Sequence, residues 1–212
     1  MADLLRVGGI VLCGGQSRRM GRSKAWLTLG GETFLQRVTR VLGEVVQPTV
    51  VVAAGVQDLP ALPTSTLVAR DSQPRRGPLQ GLLAGLDRLS SAVEAVYVSS
   101  CDVPLLRPAF VRRMIDLLAD FDIAVPEADG LPHPLAGIYR VKVRDGIRDL
   151  LDGKRLRVAY LFERHRTRFV PAEELRTVDE HLLSLRNVNT PQEYDALLRQ
   201  ARIEDCPQGG AT

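Results

Sequence analysis

The sequence predicts an α/β fold: a single domain with a doubly wound, mostly parallel sheet and helices on both of its faces. Short apolar runs rich in β-branched residues alternate with amphipathic stretches between residues 6 and 126, which is the pattern of parallel strands joined by helices. A length of 212 residues fits one domain. Hydrophobic residues make up 45% and charged residues 25%, a globular composition that excludes disordered and collagen-like chains.

The first half of the predicted sheet begins at Arg6–Cys13 (RVGGIVLC), an apolar run stopped by Gly14-Gly15 and typical of a buried parallel strand. A helix is predicted over Thr33–Leu42, where apolar side chains recur at helical spacing. Two strands and a helix that has a proline in its first turn come next, at Thr49–Ala54, Thr66–Ala69 and Gly77–Leu89.

The second half continues the alternation of strands and helices. Two strands, with a helix begun by a proline between them, are predicted at Ala95–Ser99, Pro108–Ala119 and Asp122–Pro126. A turn at Asp129-Gly130 then precedes a strand and a helix, at Leu135–Tyr139 and Val143–Leu151.

The closing helix is predicted at Thr190–Ala201, with Thr190 as N-cap, Pro191 as the first helical residue and Glu193 two residues later. We expect the domain to cover residues 1–203, and residues 204–212 (EDCPQGGAT) to form a frayed tail.

Charge and cysteine content narrow the function classes. Lys and Arg total 28 against 25 Asp and Glu, a net charge of +3 that does not require a nucleic-acid partner. Three cysteines without a CxxC pair (Cys13, Cys101 and Cys206) argue against a disulfide framework or a zinc site and favour reduced thiols. No apolar run reaches the length of a membrane span, and the amino terminus lacks a signal-peptide pattern. We therefore expect a cytoplasmic protein without membrane contact.

The strongest local motif is LCGGQSRRMGRSK, from Leu12 to Lys24, directly after the first strand. Ligands of open α/β sheets bind at the carboxyl ends of strands, and glycines let backbone N–H groups turn towards a phosphate. The residues that we expect around a phosphate are Leu12, Cys13, Gly14, Gly15, Arg18, Arg19, Gly21 and Lys24. The spacing fits neither a Walker A loop nor GxGxxG; the alternative is a surface loop with incidental arginines.

Two aspartates follow other predicted strands. Asp102, in SSCDVPLL, is a candidate Mg²⁺ ligand, because one carboxylate suffices when phosphates and water complete the coordination; the alternative is a helix cap or a turn residue. Asp71 is a candidate for a ribose hydroxyl or a base N–H, beside Gly77, Pro78 and Leu79 of GPLQG. An ordinary loop role for Asp71 is the alternative.

Polar residues late in the chain form a further candidate group. His133 lies between two prolines. Because no His or Cys lies at ligand spacing from it, we do not expect it to bind a metal. Asn187 and Asn189 flank Val188, so in an extended segment both face the same side and can clamp a polar ring or a metal-bound phosphate. Turn and cap chemistry ahead of the closing helix is the alternative.

Taken together, these motifs resemble those of a known family. LCGGQSRRMGRSK is similar to the signature loop of nucleotidyltransferases with a Rossmann-like fold, and GPLQG, CDVP, HPLAGIY and NVNTPQEY in this order resemble the molybdenum cofactor guanylyltransferases. The resemblance runs from Arg6 to about Leu198. In two places the chain departs from the family pattern: Cys13 replaces the usual alanine, and Ala53-Ala54-Gly55 lacks the asparagine common near the end of the second strand.

The resemblance implies GMP transfer from GTP to the terminal phosphate of molybdopterin, with Mg²⁺ on Asp102 and pyrophosphate as the leaving group. It further implies that Lys24 and Arg19 hold the triphosphate, that Asp71 recognises guanosine, and that His133, Asn187 and Asn189 face the pterin. Molybdoenzymes or cofactor-carrier proteins are the expected protein partners. Transfer of CMP or another nucleotide to a phosphorylated acceptor, and a nucleotide-binding module without turnover, are the alternatives.

Overall fold

The computed structural model describes residues 5–14, 20–71, 73 and 76–204, with side chains up to residue 201. Its secondary structure is that of an α/β protein. The strands are β1 Val7–Leu12, β2 Thr28–Leu29, β3 Glu32–Thr33, β4 Thr49–Ala54, β5 Thr66–Asp71, β6 Ala95–Ser100, β7 Ile123–Ala128, β8 Leu131–Pro132, β9 Ile138–Arg140 and β10 Thr167–Pro171. The α-helices are α1 Phe34–Gly43, α2 Gly77–Leu89, α3 Pro108–Leu118, α4 Val143–Asp152, α5 Ala172–Arg176 and α6 Pro191–Glu204.

The main sheet has the order β5-β4-β1-β6-β9-β7-β10, with β8 paired to β7. β1 pairs in parallel with β4 and β6, β4 with β5, and β7 with β10. β9 is antiparallel to β6 and β7, and β8 is antiparallel to β7. The predicted mostly parallel sheet is therefore confirmed.

Helices cover both faces of the sheet, as a doubly wound fold requires. One core cluster packs residues of α1, α3 and α5 against the sheet, including Leu35, Val111 and Leu175. A second cluster on the other face packs residues of α2 and α4, including Leu82 and Ile147. β1 contributes to both clusters, because alternate residues of a strand point to opposite faces.

A third, smaller core lies beside the carboxyl edge of the sheet, the edge at which the parallel strands end. It joins Met20, the β2–β3 hairpin, the start of α1 and the segment leading into α6. Phe34 and Tyr194 meet there edge to face, with ring centroids 5.7 Å apart. This cluster brings α6, the last helix described, next to the residues that follow β1.

Most predicted elements lie within two residues of the observed ones, and β4 and α2 match their predicted bounds. The predicted strand Leu135–Tyr139 is wrong in its first half. Pro134–Ala136 forms a 3-10 turn, and the strand begins at Ile138. A proline at the start of such a turn presets its backbone angle. Gly137 is required where it stands, since a Cβ there would lie 2.7 Å from Val125 Cγ1 and 2.8 Å from Ala124 O.

Two other differences concern the ends of elements. β5 extends to Asp71, so this residue ends a strand and does not belong to the loop that follows it. α6 extends to Glu204, the first residue of the predicted tail, and residues 205–212 lie outside the described part of the chain.

Candidate active site

Lys24 and Asp102 form an ion pair at the carboxyl edge of the sheet. β1 and β6 are neighbours, with Leu12 opposite Ser100, so the chain segments that follow them leave the sheet side by side. Lys24 Nζ donates to Asp102 Oδ2 at 2.7 Å. The two side chains are 17% and 14% exposed, so the pair is accessible yet partly shielded from water.

The second carboxylate oxygen of Asp102 is held by two further donors. Ser100 Oγ donates to Asp102 Oδ1 at 2.5 Å, and Asn187 Nδ2 donates to the same oxygen at 2.9 Å. These contacts fix the plane of the carboxylate. Ser100 was not among the residues predicted for the site. In the sequence its only distinguishing feature is that it is a polar residue at the end of a mostly apolar strand.

The segment before α6 reaches the same centre. Lys24 Nζ donates to Asn189 Oδ1 at 2.5 Å, and Val188 N donates to the backbone carbonyl of Asp102 at 2.9 Å. Val188 itself is buried in the third core cluster. The prediction that Asn187 and Asn189 face the same side is confirmed, since both contact the Lys24–Asp102 pair.

A capping box holds this segment in place, as predicted. Glu193 Oε2 accepts from the backbone N–H of Asn189 at 2.6 Å and of Thr190 at 3.1 Å, while Thr190 Oγ1 accepts from Glu193 N at 3.2 Å. The hydrogen bond from Asn189, followed by those from Thr190, lowers the pKa of Glu193. The ionised carboxylate thus anchors the backbone that carries Asn189.

The glycine loop is described only at its two ends. Leu12 and Cys13 are buried at the end of β1, and Gly14 follows them. At the other end, Gly21 has φ +68°, a left-handed conformation that a glycine adopts without strain. The candidates Gly15, Arg18 and Arg19 lie outside the described residues.

Two free thiols lie beneath the start of this loop. Cys13 and Cys101 are buried and hydrogen-bonded to each other. The hydrogen bond from Cys101 lowers the pKa of Cys13, whereas the same bond and burial raise the pKa of Cys101. Cys13 therefore fills a core position at the end of β1.

The nucleoside candidates lie at the ends of β5 and α2. Asp71 Oδ1 accepts from Gln73 N at 2.8 Å, which fixes one oxygen of a partly exposed carboxylate. Gly77 has φ +69° and begins α2, with Pro78 in the first turn. Leu79 is fully buried, so its backbone and not its side chain is available to a ligand. Whether these residues bind a nucleoside stays a prediction.

His133 lies after β8, beside the carboxyl end of β7, where its backbone N–H donates to Pro126 O at 2.8 Å. Burial lowers the pKa of His133, so the imidazole is neutral at neutral pH. Among the described residues, no hydrogen bond or ion pair joins His133 to the Lys24–Asp102 pair. Its predicted place on the acceptor side stays a prediction.

The donor set at this centre fits a hard cation that keeps water and phosphate oxygens among its ligands. Asp102 supplies one carboxylate, with the hydroxyl of Ser100 and the amides of Asn187 and Asn189 beside it. In the described part of the chain, no group of three or more His, Cys, Asp or Glu residues is arranged to hold a metal ion. The ammonium of Lys24 provides a point charge for phosphate.

No helix among the described residues is long and apolar enough to cross a membrane. A family model described as the MobA-like NTP transferase domain matches residues 9–168, a range that begins within β1 and continues past α4.

Curated relatives match the chain over nearly its whole length. A molybdenum cofactor guanylyltransferase of Desulfosudis oleivorans is 33% identical over 202 residues, covering 93% of this chain and 98% of that protein. A probable molybdenum cofactor guanylyltransferase of Mycobacterium tuberculosis is 32% identical over 207 residues, covering 94% and 97%. The predicted resemblance to this family is therefore confirmed.

Solved structures share the fold. Molybdopterin-guanine dinucleotide biosynthesis protein A of Archaeoglobus fulgidus superposes with a TM-score of 0.76 at 22% identity, covering 92% of this chain and 99% of that one. The 2-C-methyl-D-erythritol 4-phosphate cytidylyltransferase of Thermus thermophilus has a TM-score of 0.63 at 17% identity, covering 93% and 98%. The family match, the full-length relatives and this fold agree: the chain belongs to the MobA-like NTP transferases and is a nucleotidyltransferase.

Proposed function

We propose that this enzyme transfers GMP from GTP to the terminal phosphate of molybdopterin and releases pyrophosphate. The observation that carries the proposal is the joint placement of Lys24, Asp102, Asn187 and Asn189 at the carboxyl edge of the sheet, beside the glycine loop. The names of the full-length relatives support the choice of guanine nucleotide and acceptor. The loop dipeptide Gly14-Gly15 and the motifs HPLAGIY and NVNTPQEY support the same choice.

The proposed reaction forms one P–O bond and breaks another. An oxygen of the acceptor phosphate attacks the α-phosphorus of GTP, and the bond from that phosphorus to the oxygen of the β-phosphate breaks. The attacking oxygen is already anionic, so no strong general base is needed. This agrees with the placement of His133, whose backbone N–H bonds Pro126 O and which has no hydrogen bond or ion pair with Lys24 or Asp102 among the described residues. The task of the protein is to position two anions and to stabilise charge.

Each side chain then has a defined part. Lys24 binds the triphosphate as a point charge, together with Arg19 and the loop N–H groups, while Asp71 holds the guanosine. Asp102 would hold Mg²⁺, oriented by Ser100 and Asn187. When bound, Mg²⁺ neutralises negative charge on the phosphates and on the leaving pyrophosphate. Asn187, Asn189 and His133 face the acceptor.

The proposal extends to partners and location. Molybdopterin is the acceptor, and molybdoenzymes or cofactor-carrier proteins receive the product. The enzyme acts in the cytoplasm, a location supported by the buried free thiols of Cys13 and Cys101.

The experiment is a measurement of pyrophosphate release with GTP, CTP, ATP and UTP, each with Mg²⁺, in the presence and absence of molybdopterin. Release that requires molybdopterin and is fastest with GTP is the expected result. Equal or faster release with CTP would replace the guanylyl assignment by cytidylyl transfer. Release that does not depend on molybdopterin would exclude it as the acceptor.

A further inference from the structure

The hydrogen-bond ladder between β1 and β4 stops abruptly at the start of the glycine loop. Leu12 lies opposite Val52, and Cys13 N donates to Val52 O at 2.8 Å. In a parallel ladder the next bond would run from Ala54 N to Cys13 O. That bond is not formed, although both groups point into the same gap.

The side-chain amide of Gln57 fills this gap. Gln57 Oε1 accepts from Ala54 N at 3.2 Å, and Gln57 Nε2 donates to Cys13 O at 3.0 Å and lies 3.4 Å from Cys13 Sγ. The amide thus takes one partner from each strand, as an inserted peptide unit would. It satisfies both backbone groups while keeping the two strands one amide apart.

The segment that carries Gln57 is itself fixed from several sides. Gln57 N donates to Ala54 O at 3.1 Å, which closes a tight turn after β4. Arg70 Nη1, from β5, donates to Gln57 O at 2.6 Å and to Ala54 O at 3.2 Å. Trp26 Nε1 donates to the carbonyl of the next residue, Asp58, at 3.3 Å. The amide is therefore held firmly in place between the strands.

The position of the Gln57 amide, between the ends of β1 and β4, has a functional consequence. Gly14 follows Cys13 directly, and a Cβ on Gly14 would lie 3.7 Å from Ala54 N. The direction in which the chain leaves β1 towards the glycine loop is thus set at the atoms that Gln57 separates. Trp26 lies just beyond Lys24, so the Gln57–Asp58 segment is tied to residues on both sides of that loop.

We propose that Gln57 is a positioning residue for the nucleotide: its amide holds the ends of β1 and β4 apart and thereby fixes the start of the phosphate-binding loop. The inference rests on the proposed function, because it assigns that loop to the triphosphate. Gln57 itself need not touch the substrate. Without the amide, Ala54 N can bond directly to Cys13 O, which closes the strands and moves Gly14 while the fold keeps its hydrogen bonds.

The test compares Gln57→Ala and Gln57→Glu with the parent enzyme. Glutamate has the same length and can accept from Ala54 N, but a carboxylate cannot donate to Cys13 O. Gln47→Ala is the matched control, since Gln47 lies before β4, at the opposite edge of the sheet. Affinities for Mg²⁺ complexes of GTP, CTP and ATP are measured by calorimetry, together with KM for each substrate, kcat and the Tm of the unliganded protein.

For both Gln57 variants we expect the affinity for the preferred nucleotide to fall roughly tenfold or more, since small displacements of a binding loop are costly. Tm, the molybdopterin KM and the Gln47→Ala control should stay close to the parent values. Parental nucleotide affinity in both variants would overturn the inference, and so would a loss of affinity matched by a large fall in Tm.

The same measurements separate this inference from the proposed function. A parent that prefers CTP contradicts guanylyl transfer, and the effect of Gln57 is then measured on CTP. A parent that binds GTP, with Gln57 variants that bind it equally well, contradicts only the role of Gln57. A parent that binds no nucleotide overturns both.

Discussion

At the scale of single residues, the site depends on a cation and an anion that neutralise each other before substrate arrives. Lys24 and Asp102 are 78 positions apart in the chain and 2.7 Å apart in space. The carboxylate keeps Ser100 and Asn187 as donors beside the ammonium. If Lys24 or Asp102 turns to a ligand, the other residue therefore still has a hydrogen-bond partner: Asn189 for Lys24, and Ser100 and Asn187 for Asp102.

Lys24→Ala should weaken triphosphate binding and leave the fold intact. Asp102 retains two hydrogen bonds in the variant, so Tm should change little. Loss of a charge-assisted contact to phosphate should cost on the order of 1.5–3 kcal/mol, or about tenfold to hundredfold in GTP affinity. Titration of the parent and the variant with GTP in the presence of Mg²⁺ measures this difference in affinity. Lys142→Ala, which removes a lysine paired with Asp122 near the amino end of β7, is the control. Parental GTP affinity in Lys24→Ala would show that this lysine does not bind the triphosphate.

Asp102→Asn should abolish turnover and spare the fold. Asparagine keeps the volume and one acceptor oxygen, and the hydrogen bond from Val188 N is to the backbone of residue 102. What is lost is the charge that a hard cation requires, so we expect a rate at least about a hundredfold lower. The rate is measured together with Tm over a range of Mg²⁺ concentrations. A stable variant with the parental rate at ordinary Mg²⁺ would assign Asp102 to a structural role.

Lys24 and Asp102 could be predicted because each follows a buried strand, and parallel strands end at a common edge. Their direct pairing could not, since it depends on the crossing of two loops. Ser100 was missed for a different reason: a serine at the end of a strand has no spacing that distinguishes it from an ordinary edge residue. Gln57 was missed because its role lies in a hydrogen-bond ladder that no local pattern encodes.

At the scale of elements, the segment before α6 acts as a strap across the site. Its capping box, its buried Val188 and its two amides were all present in the motif NVNTPQEY, and the structure arranges them as one unit. Asn187 and Asn189 contact the Lys24–Asp102 pair, so in the proposed reaction they lie near the point where the α-phosphorus and the acceptor phosphate meet. The segment before α6 is therefore close enough to affect both substrates of the proposed reaction.

Changing Asn187 and Asn189 together to Ala should impair turnover and raise KM for molybdopterin, while GTP affinity stays within a few-fold. Lys24 and Asp102 still hold each other in such a variant, which preserves the two residues that we propose for the triphosphate and the metal. Calorimetry with GTP measures the nucleotide affinity, and steady-state kinetics with molybdopterin measure its KM and the turnover rate. Gln192→Ala, an exposed change in the first turn of α6, is the control. Loss of GTP binding in a folded double variant would move both amides to the nucleotide or metal site.

Some elements were outside the reach of sequence patterns. The β2–β3 hairpin has strands of only two residues, and β10 and the five-residue α5 follow an arginine-rich stretch without clear periodicity. The start of strand β9 is predicted three residues too early, at Leu135 in place of Ile138, because Leu135 and Ala136 are apolar. Here the backbone conformation is determined by the prolines and Gly137 and not by the hydrophobic pattern.

At the scale of the whole molecule, the alternation of strands and helices was sufficient to predict both the parallel sheet and its two covered faces.

The edge of the sheet opposite the active site is held together partly by ion pairs and hydrogen bonds of one carboxylate. Asp122 is 7% exposed at the amino end of β7. It lies 2.6 Å from Lys142 Nζ and accepts from Arg166 N at 3.3 Å. One carboxylate thus joins the chain before α4 to the chain before β10.

This carboxylate should make stability depend on pH. Burial acts to raise the pKa of Asp122, but the hydrogen bond and charge of Lys142 outweigh it, so the pKa is lowered. A lowered pKa means that the ionised form stabilises the fold at pH values above about 4, and that this stabilisation is lost as pH falls further. His165 also faces the carboxylate, at 3.9 Å.

Asp122→Asn should therefore lower stability by about 1–2 kcal/mol at neutral pH, a modest value because Lys142 is largely exposed. The difference from the parent should shrink below about pH 4, where the parent loses its own carboxylate. Urea unfolding at several pH values measures it. Asp145→Asn, at an exposed ion pair of α4, should stay within about 0.5 kcal/mol of the parent. A difference for Asp122→Asn that does not vary with pH would contradict this account.

The reversed direction of β9 has a consequence for how such an enzyme changes over time. The chain enters β9 at the carboxyl edge, so residues 129–137, which include His133, lie on the side that we assign to the acceptor. Both ends of this segment are fixed in the sheet by β7 and β9, and its turn at Asp129-Gly130 is exposed. Exposed turns tolerate insertions and deletions. We therefore expect changes of length at this turn to alter the choice of acceptor while β1 and β4, which carry the start of the glycine loop, keep their register.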